Sequence, residues 1–382
     1  MRSDVALESI SAVEWDALAE GAPLLSHAFL SALHDTGCAA PASGWTPRYL
    51  TAWRGSTLVG AMPLYAKAHS YGEYVFDWAW ADAYRRYGHR YYPKLLAAIP
   101  FTPAPGRRVL ASERDAADSL IHAALRLLHA RDEGAAADFS SLHVLFPTDE
   151  TALLEAAGMS IRHGVQFRWE NPGYGDFADF LATFNHDKRK KVKQERRKVA
   201  DAGIEFVRKV GSDISASDWR FFFRCYRNTY RDHRSTPYLN LAFFERIGAT
   251  MPANLMMAIG YRAETPVCSA LDVFDRSTLW GRYWGTTAAI SGLHFEACYY
   301  QAIEFCIERG IVRFEGGAQG VHKLARGLVP VQTSSAHAIA DPEFARAIAA
   351  FCAREQQDVA HALDELDASR PFRNVPASDL PS

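Results

Sequence analysis

The chain has 382 residues, of which 48% are hydrophobic and 23% charged, and its formal net charge is −2 at pH 7. This length predicts two domains or one large one, and the composition is that of an ordinary globular protein. The near-neutral balance excludes nucleic-acid binding through a global basic excess, so any such role requires a local basic patch.

Targeting signals and metal motifs are not recognisable in the sequence. The N-terminal stretch MRSDVALESISAVEW has no apolar segment of the kind that a secretory signal needs. No run reaches the roughly 18 apolar residues of a membrane span. The six cysteines are scattered without a C-x-x-C pair, which favours free thiols in a reducing compartment. We therefore expect a cytoplasmic protein without a transmembrane segment, a metal site or a tightly bound cofactor.

The first element in chain order is a predicted β-hairpin, with strands over residues 48–54 and 57–66, followed by a helix over 116–130 and a strand over 141–146. Between hairpin and helix, segment 71–110 interleaves aromatic rings with carboxylates. This mixture fits a pocket for a polar or amide-containing substrate, and equally a thick aromatic core with charges on its rim. The candidate substrate-binding residues are Glu73, Asp77, Trp78, Trp80, Asp82, Tyr91, Tyr92 and Lys94.

A basic run follows a Pro- and Gly-marked boundary near 164–175. HDKRKKVKQERRK, residues 186–198, holds eight Lys or Arg against one Asp and one Glu. With the apolar residues before it, segment 177–199 fits one amphipathic helix. We expect no nearby acid to relieve this charge, so the run is either a solvated face or a site for a polyanion such as tRNA, a nucleotide-linked sugar or a lipid headgroup. The candidate phosphate-binding residues are Lys188, Arg189, Lys190, Lys191, Lys193, Arg196 and Arg197.

The second half of the chain repeats the order of the first. A hairpin is predicted over 255–262 and 266–274, followed by a helix over 293–309 and a strand over 311–314. The turn of each hairpin has a similar pattern, WRGSTLVGA from Trp53 and YRAETPVCS from Tyr261. Chance similarity is the alternative to duplication. Duplication predicts domains over 1–165 and 166–368, with a C-terminal helix over 341–366 and a disordered tail over 369–382.

Two loops in the second half are candidate ligand sites. Arg282-Tyr-Trp-Gly285-Thr-Thr weakly matches the R-x-x-G-x-G/A loop that holds the pyrophosphate of acetyl-CoA, but Thr287 replaces the last small residue. We expect no standard pyrophosphate site there. Further on, FEGGAQGVHKLARG places a lysine and an arginine in a glycine-rich turn, which suits an anionic or carbonyl group.

Three long blocks resemble the bacterial FemAB-like family of the Gcn5-related N-acyltransferase superfamily. They are EYVFDWAWADAY with RYYPKLLAAIPFTPAPG, FNHDKRKKVKQERRKV, and LHFEACYYQAIEFCIERG with FEGGAQGVHKLARGLVP. The resemblance covers most of 73–330. It implies an α/β (α+β) fold of two tandem acyl-CoA N-acyltransferase-like domains, each a mixed β-sheet flanked by helices.

The resemblance also implies a function related to the Fem peptidyltransferases, which add amino acids from aminoacyl-tRNA to cell-wall precursors. By position, Lys323 matches the lysine near the transferred ester, and Arg326 would assist it. Glu315 or Asp272 would take the amine proton. We also predict substrate contacts from Arg282, Tyr283, Gln319 and His322.

The predicted activity is therefore N-acyl transfer to an amine of a cell-wall precursor or peptide-like substrate. The co-substrate is aminoacyl-tRNA or acyl-CoA, with tRNA and a peripherally contacted, lipid-linked precursor as partners. Two alternatives stay open: an acyl-CoA-dependent N-acyltransferase, and a binding module that kept the fold without catalysis. The sequence does not specify the oligomeric state.

Overall fold

The structure, a computed structural model, describes residues 1–130, 139–318 and 320–373. Its α-helices are α1 (Ala12–Leu18), α2 (His27–Asp35), α3 (Trp78–Arg86), α4 (Arg114–His129), α5 (Thr151–Ala156), α6 (Phe177–Ala182), α7 (His186–Asp201), α8 (Ala216–Asp232), α9 (Leu241–Thr250), α10 (Leu293–Phe295), α11 (Gln301–Arg309) and α12 (Pro342–Ala368). The strands are β1 (Trp45–Pro47), β2 (Leu50–Arg54), β3 (Thr57–Met62), β4 (Leu64–Lys67), β5 (Lys94–Ala97), β6 (Leu110–Ala111), β7 (Ser141–Leu145), β8 (Ser160–Glu170), β9 (Ile204–Val210), β10 (Leu255–Arg262), β11 (Thr265–Phe274), β12 (Thr278–Thr286), β13 (Arg313–Ala318) and β14 (Val329–Ile339).

The chain forms two compact units. Unit 1 consists of Met1–Gly164, Tyr238–Thr250 and Gln332–His361, and unit 2 of Val165–Pro237, Met251–Val331 and the segment from Ala362. The chain first passes from unit 1 to unit 2 next to the predicted 165/166 boundary, whereas 238–250 and 332–361 belong to unit 1.

Unit 1 contains a mixed sheet in the order β1-β4-β5-β7-β14, in which β5 and β7 are parallel and the other neighbours antiparallel. A three-stranded antiparallel sheet has the order β2-β3-β6. Helix α4 connects the region of β5 to β7. Its buried Leu120, Ala124 and Leu128 recur every four residues and join the hydrophobic core formed with β5 and β7.

Unit 2 contains a mixed sheet in the order β8-β13-β12-β11-β10-β9, in which β12 and β13 are parallel and the other neighbours antiparallel. The crossover between β12 and β13 is one helical segment, in which a π-helical turn, Glu296–Tyr300, joins α10 to α11. Gly310 ends α11 with a φ of 64°, a left-handed conformation that favours glycine at the C-terminus of a helix.

Both units repeat one chain path. A hairpin is followed by a third strand that runs antiparallel to its neighbour, then by a helix, and then by a strand that runs parallel to the third strand. The two hairpins share a detail. The register of β2 and β3 shifts between Ala52 and Trp53, and that of β10 and β11 between Gly260 and Tyr261, the matching place in the sequence repeat. Each unit is thus a mixed sheet flanked by helices, as predicted.

Several local predictions need correction. Segment 177–199 is not one helix, because Thr183–Asn185 interrupt it and the Asn185 side chain caps the N-terminus of α7. The predicted strand 57–66 is divided between β3 and β4 at Pro63, which has no amide hydrogen.

Other local predictions are confirmed or only partly described. All six cysteines are free. Of the segment 369–382, the structure describes 369–373, in which the half-buried Phe372 packs on Phe184 with ring centroids 5.5 Å apart. The remaining residues lie outside the described part. No described helix is long and apolar enough to cross a membrane.

Candidate functional site

A short 3-10 helix, Val321–Arg326, follows β13 in unit 2 and carries the predicted catalytic lysine. Gly320 and Gly327 bracket it with φ angles of 99° and 83°. A side chain at Gly327 would bring its Cβ within 2.6 Å of the Phe180 ring, so this end of the helix requires glycine. The helix holds Lys323 and Arg326 inward, with 4% and 3% of their surfaces exposed.

The Lys323 ammonium lies in an apolar setting beside an open space. Its Nζ donates a hydrogen bond to the carbonyl oxygen of Gly317 at 3.0 Å and lies 5.7 Å from the centre of the Phe167 ring. Burial lowers the pKa of Lys323 to about 8. A Cβ added at Gly317 would meet no described atom within 4 Å. A small group can therefore approach the turn at Gly317.

His322 forms a polar pair with Tyr299 next to this lysine. The Tyr299 hydroxyl and His322 Nε2 are 3.1 Å apart. Burial lowers the pKa of His322, so the imidazole is neutral at pH 7 and its Nε2 can accept the hydroxyl proton. Tyr299 lies on the π-helical turn, a helix irregularity that often occurs at functional sites.

Arg326 is held by the protein on every side. It donates to the Glu195 carboxylate at 2.6 Å and to the His322 carbonyl at 2.7 Å, and its guanidinium lies 3.4 Å from the centre of the Phe295 ring. The side chain therefore anchors the turn to α7, and its charge is already compensated by Glu195.

The two carboxylates predicted to take a proton lie in strands of unit 2. Glu315 pairs with Arg168 at 2.8 Å across the β13–β8 register, and burial raises its pKa. Asp272 is fully enclosed in β11, and burial raises its pKa well above the usual value. Its Oδ2 has no hydrogen-bond partner among the described residues. Burial thus favours the uncharged form of Asp272, which is unfavourable for a base.

The remaining predicted contacts of unit 2 lie on β12 or beyond β13. Arg282 donates to the Tyr283 hydroxyl at 3.0 Å, and the Tyr283 ring packs edge-on against Tyr226 at 5.5 Å. Gln319 lies outside the described residues.

Unit 1 contains a buried polar cluster that includes four of the predicted substrate contacts. Lys94, at the start of β5, donates to Ser70 Oγ at 2.9 Å, to Glu73 at 2.7 Å and to Asp77. The Tyr91 hydroxyl donates to the same Asp77 carboxylate at 2.6 Å. Burial alone would raise the pKa of Asp77, but Lys94, His143 and the hydrogen bonds together hold it well below its usual value.

The cluster extends through two histidines that the sequence analysis missed. Tyr91 lies 3.2 Å from His143, whose Nδ1 lies 2.6 Å from Nδ1 of His337. Lys67 and Ser70 complete the set that was missed. All these side chains are buried. The charges are therefore inside the core of unit 1, not on its rim as one of the two predictions held. The sequence feature that could have identified these residues is a polar residue at an inward position of an apolar strand, as at His143 in Ser-Leu-His-Val-Leu.

The other aromatic candidates of segment 71–110 are spread over the surface and core of unit 1. Trp78 is 41% exposed and packs against Tyr71 with ring centroids 4.9 Å apart. Trp80 is buried against His337. The Tyr92 hydroxyl lies 2.9 Å from Ser70 Oγ, at the edge of the cluster. Asp82 forms ion pairs with Arg85 and Arg86 on α3.

Helix α7 carries the predicted phosphate-binding residues, but they differ in environment. Arg196 pairs with Glu296 at 3.0 Å and with Glu304 at 2.6 Å. The expectation that no acid relieves the basic run is therefore wrong for this residue. Lys190, Lys191, Lys193 and Arg197 are exposed, and Arg197 lies 3.7 Å from Asp201. Lys188 and Arg189 are half-buried.

Comparison with known proteins gives the affiliation of the chain. Residues 6–374 match the FemAB-like family, described as peptidoglycan biosynthesis/recognition. The chain belongs to the FemAB-like family. No curated protein matches it.

Several solved structures are similar to this FemAB-like protein. FemX is 12% identical, with a TM-score of 0.52, over 87% of this chain and 97% of FemX. A tandem GNAT protein from the clavulanic acid pathway is 12% identical, with a TM-score of 0.44, over 89% of this chain and 99% of that protein. L-PGS from Bacillus licheniformis is 11% identical, with a TM-score of 0.49, over 92% and 97% of the two chains. The predicted tandem N-acyltransferase-like fold is confirmed.

The FemAB-like protein has in unit 2 a loop between β12 and α10 where such folds can bind a pyrophosphate on backbone N–H groups. Two amides of this region have partners within the chain: Thr287 N donates to the Val267 carbonyl at 2.8 Å, and Leu293 N to the Ile290 carbonyl at 3.3 Å. A Cβ at Gly292 would lie 3.3 Å from the Glu195 carbonyl oxygen, because α7 packs directly on this loop.

The equivalent loop of unit 1, between β5 and α4, is equally occupied. Pro100, Pro103 and Pro105 have no amide hydrogen. The amide of Gly106 donates to the Phe146 carbonyl at 3.0 Å. The amides of Arg108 and Val109 both donate to the Glu150 carboxylate. In each loop, part of the N–H groups is therefore engaged within the chain and not free for a CoA pyrophosphate.

Proposed function

We propose that this FemAB-like protein is a cytoplasmic aminoacyltransferase, which moves an aminoacyl group from aminoacyl-tRNA to an amine of a peptidoglycan precursor or a similar peptide. The observation that carries the proposal is Lys323, a buried lysine with its pKa lowered to about 8, in a glycine-rich turn that opens at Gly317. Such a lysine is still mostly protonated at pH 7 and is weakly solvated, as a cation that stabilises an oxyanion should be.

The chemistry requires one new bond and one broken bond. The acceptor nitrogen forms a C–N bond to the ester carbonyl carbon, and the carbonyl oxygen takes the displaced electron pair. The Lys323 ammonium donates a hydrogen bond to that oxyanion. The Tyr299 hydroxyl takes the amine proton while it passes its own proton to Nε2 of His322. The ester C–O bond then breaks, and the reverse transfer protonates the leaving ribose oxygen.

The proposed base differs from the one expected from the sequence. His322 has a lowered pKa and is hydrogen-bonded to Tyr299, whereas Glu315 is paired with Arg168 and burial favours the uncharged form of Asp272. Arg326 acts in this scheme as a positioning residue, because it binds the His322 carbonyl and not a substrate.

Two features support tRNA as the donor in preference to acyl-CoA. Several backbone N–H groups of both candidate loops are engaged within the chain, such as that of Thr287 in unit 2 and those of Arg108 and Val109 in unit 1. Helix α7 presents exposed cations that suit a phosphate backbone, namely Lys190, Lys191, Lys193 and Arg197. The acceptor is then a small or peptide-like amine, and a lipid-linked precursor would be contacted peripherally.

A transfer assay tests this function. Purified protein is mixed with tRNA charged with a radiolabelled amino acid and with a peptidoglycan-precursor pentapeptide, and label in the peptide is counted. We expect label with wild-type protein and about a hundredfold less with Tyr299→Phe or Lys323→Met. Acyl transfer from acyl-CoA but not from charged tRNA would replace this function by the acyl-CoA alternative. Peptide binding without transfer from either donor would indicate a binding module.

A further inference from the structure

Helix α8 of unit 2 presents a row of arginines that the proposed chemistry does not use. Arg220, Arg224, Arg227 and Arg231 are all exposed. Their spacings of four, three and four residues place them along one face of the helix. With a rise of 1.5 Å per residue the row is about 16 Å long.

The charges of this row are largely uncompensated by the described residues. Arg231 lies 3.7 Å from Asp232, and Arg224 lies over the Phe221 ring of its own helix. Arg220 and Arg227 form no ion pair with any described residue. The other acid of the helix, Asp218, is buried and pairs with Lys209 at 2.8 Å. Like charges three and four residues apart destabilise a helix, so the row is unfavourable in isolation.

The helix below the row is a rigid platform. Its opposite face is buried through Trp219, Phe222, Cys225 and Tyr226. Helix and strand approach so closely that a Cβ at Gly285 of β12 would lie 2.0 Å from the Cys225 carbonyl oxygen. Thr229 Oγ1 also donates to the Trp284 carbonyl at 2.8 Å. The arginine positions are thus fixed relative to the sheet.

The chemistry of the row fits phosphodiester groups. A guanidinium donates paired hydrogen bonds to a phosphate, and arginine is the cation suited to that geometry. A nucleic-acid strand in a duplex carries one phosphate per roughly 3.4 Å of axis, so about 16 Å spans four to five of them. A membrane-surface helix would also expose apolar side chains. The aromatic rings of α8 are instead buried or half-buried.

We propose that the arginine row of α8 is an RNA-backbone-binding surface that holds the tRNA part of the donor. This identification of the RNA as tRNA rests on the proposed function, whereas the binding surface itself does not require turnover. Phosphate contacts carry no sequence information, so the row positions the tRNA without reading its bases.

The test measures binding of deacylated tRNA by fluorescence anisotropy between 50 and 300 mM salt. The variant Arg220→Gln, Arg224→Gln, Arg227→Gln should weaken binding at least about tenfold at 100 mM salt. It should also reduce the slope of log K against log salt by about 1 for each lost contact. The control Arg262→Gln, Arg276→Gln, Arg313→Gln removes the same charge from exposed sites elsewhere in unit 2 and should bind as wild type. A variant with lysine in place of Arg220, Arg224 and Arg227 should keep most of the slope of log K against log salt.

Each outcome decides the proposal. Equal affinity and slope for the α8 variant and wild type overturns it, as does an equal loss in the control variant. Loss of binding to phosphatidylglycerol vesicles with tRNA binding unchanged also overturns it. If the α8 variant loses tRNA binding while wild-type protein transfers no amino acid, the surface stands and the proposed function fails. If wild type transfers and the variant keeps a normal KM for charged tRNA, the function stands and the surface fails.

Discussion

Lys323 and Arg326 lie three residues apart on one short helix, and both are buried, yet their surroundings give them different roles. Arg326 has a carboxylate, a carbonyl and an aromatic ring as partners. Lys323 has a carbonyl and a ring, and burial lowers its pKa to about 8. Because the Arg326 charge is already compensated by Glu195, Lys323 is the better candidate for meeting a developing negative charge.

Replacing Lys323 by methionine should reduce turnover and leave the fold intact. The substitution keeps the stem and removes the charge, so it loses an oxyanion donor worth about 2.7–4 kcal/mol, which is about a hundredfold or more in rate. We expect single-turnover transfer to fall by that factor while the thermal midpoint stays nearly constant. Arg276→Met, at an exposed position of unit 2 outside the proposed site, is the matched control and should react normally. A large fall in the midpoint for Lys323→Met would make the lysine structural.

The pH dependence of transfer should follow the same lysine. If the protonated form is required, the wild-type rate should decline as pH rises through about 8, where Lys323 loses its proton. A lysine with its usual pKa would leave the rate constant to about pH 10. Transfer rates measured between pH 6 and 10 distinguish the two cases, and a flat profile through pH 9 contradicts the assignment.

In unit 1, the buried Lys94 should make a large contribution to the free energy of unfolding. Replacing Lys94 by methionine leaves the Glu73 and Asp77 carboxylates buried together without their ammonium partner, which should cost about 3–5 kcal/mol in the free energy of unfolding. Urea denaturation measures this cost. Arg85→Met removes the cation of a solvent-exposed pair with Asp82 on α3 and should leave the free energy of unfolding nearly unchanged.

The sign of the pH effect offers a second check on Lys94. In wild type the pKa of Asp77 is depressed, so this carboxylate contributes stability above the unfolded value of about 3.9 and the contribution is lost as pH falls below it. In Lys94→Met the buried carboxylates should hold protons to higher pH. The stability difference between variant and wild type should therefore shrink as pH falls from 7 to 4, and a difference that widens would contradict this account.

At the scale of elements, helix α7 has two roles, packing within unit 2 and presenting cations to solvent, and the residues of both roles alternate within one basic run. Val192 and Val199 are buried, and Arg196 and Glu195 form ion pairs with residues of the α10–α11 segment and the 3-10 helix. Lys190, Lys191, Lys193 and Arg197 are exposed. The helix therefore closes the loop at Gly292 with one face and presents cations with the other.

Charge reversal on α7 should separate these two faces. Changing Lys190, Lys191, Lys193 and Arg197 to Glu should abolish tRNA binding with little change in the thermal midpoint, because exposed substitutions seldom cost more than about half a kcal/mol each. Arg196→Ala should do the opposite: it leaves Glu296 and Glu304 without their partner and should lower the midpoint by several degrees. If both variants lose binding equally while folded, Arg196 also contacts the ligand.

At the scale of the whole molecule, the sequence predicts the repeated architecture and the positions of its main elements. Hairpins, crossover helices and glycine caps depend on local patterns, and the shared bulge at Ala52 and Gly260 follows from two similar turns. What could not be predicted depends on partners distant in sequence. Arg196 meets Glu296 a hundred residues away, and His143 meets His337 across 194. From the sequence alone, the basic run 186–198 therefore looked uniformly exposed, and the aromatic segment 71–110 looked like a pocket. The partners that change this interpretation are identified only in the folded structure.

Ligand-dependent stability tests the choice of donor on the intact protein. A ligand that binds only the native state stabilises it by RT ln(1 + [L]/Kd), about 2.7 kcal/mol at a hundredfold excess over Kd. Deacylated tRNA should therefore raise the thermal midpoint. Acetyl-CoA at millimolar concentration should leave it unchanged, because several amides of both candidate loops are engaged and α7 packs on Gly292. A rise with acetyl-CoA and none with tRNA would reverse the proposed donor, since the loops would then have to open to release their amides.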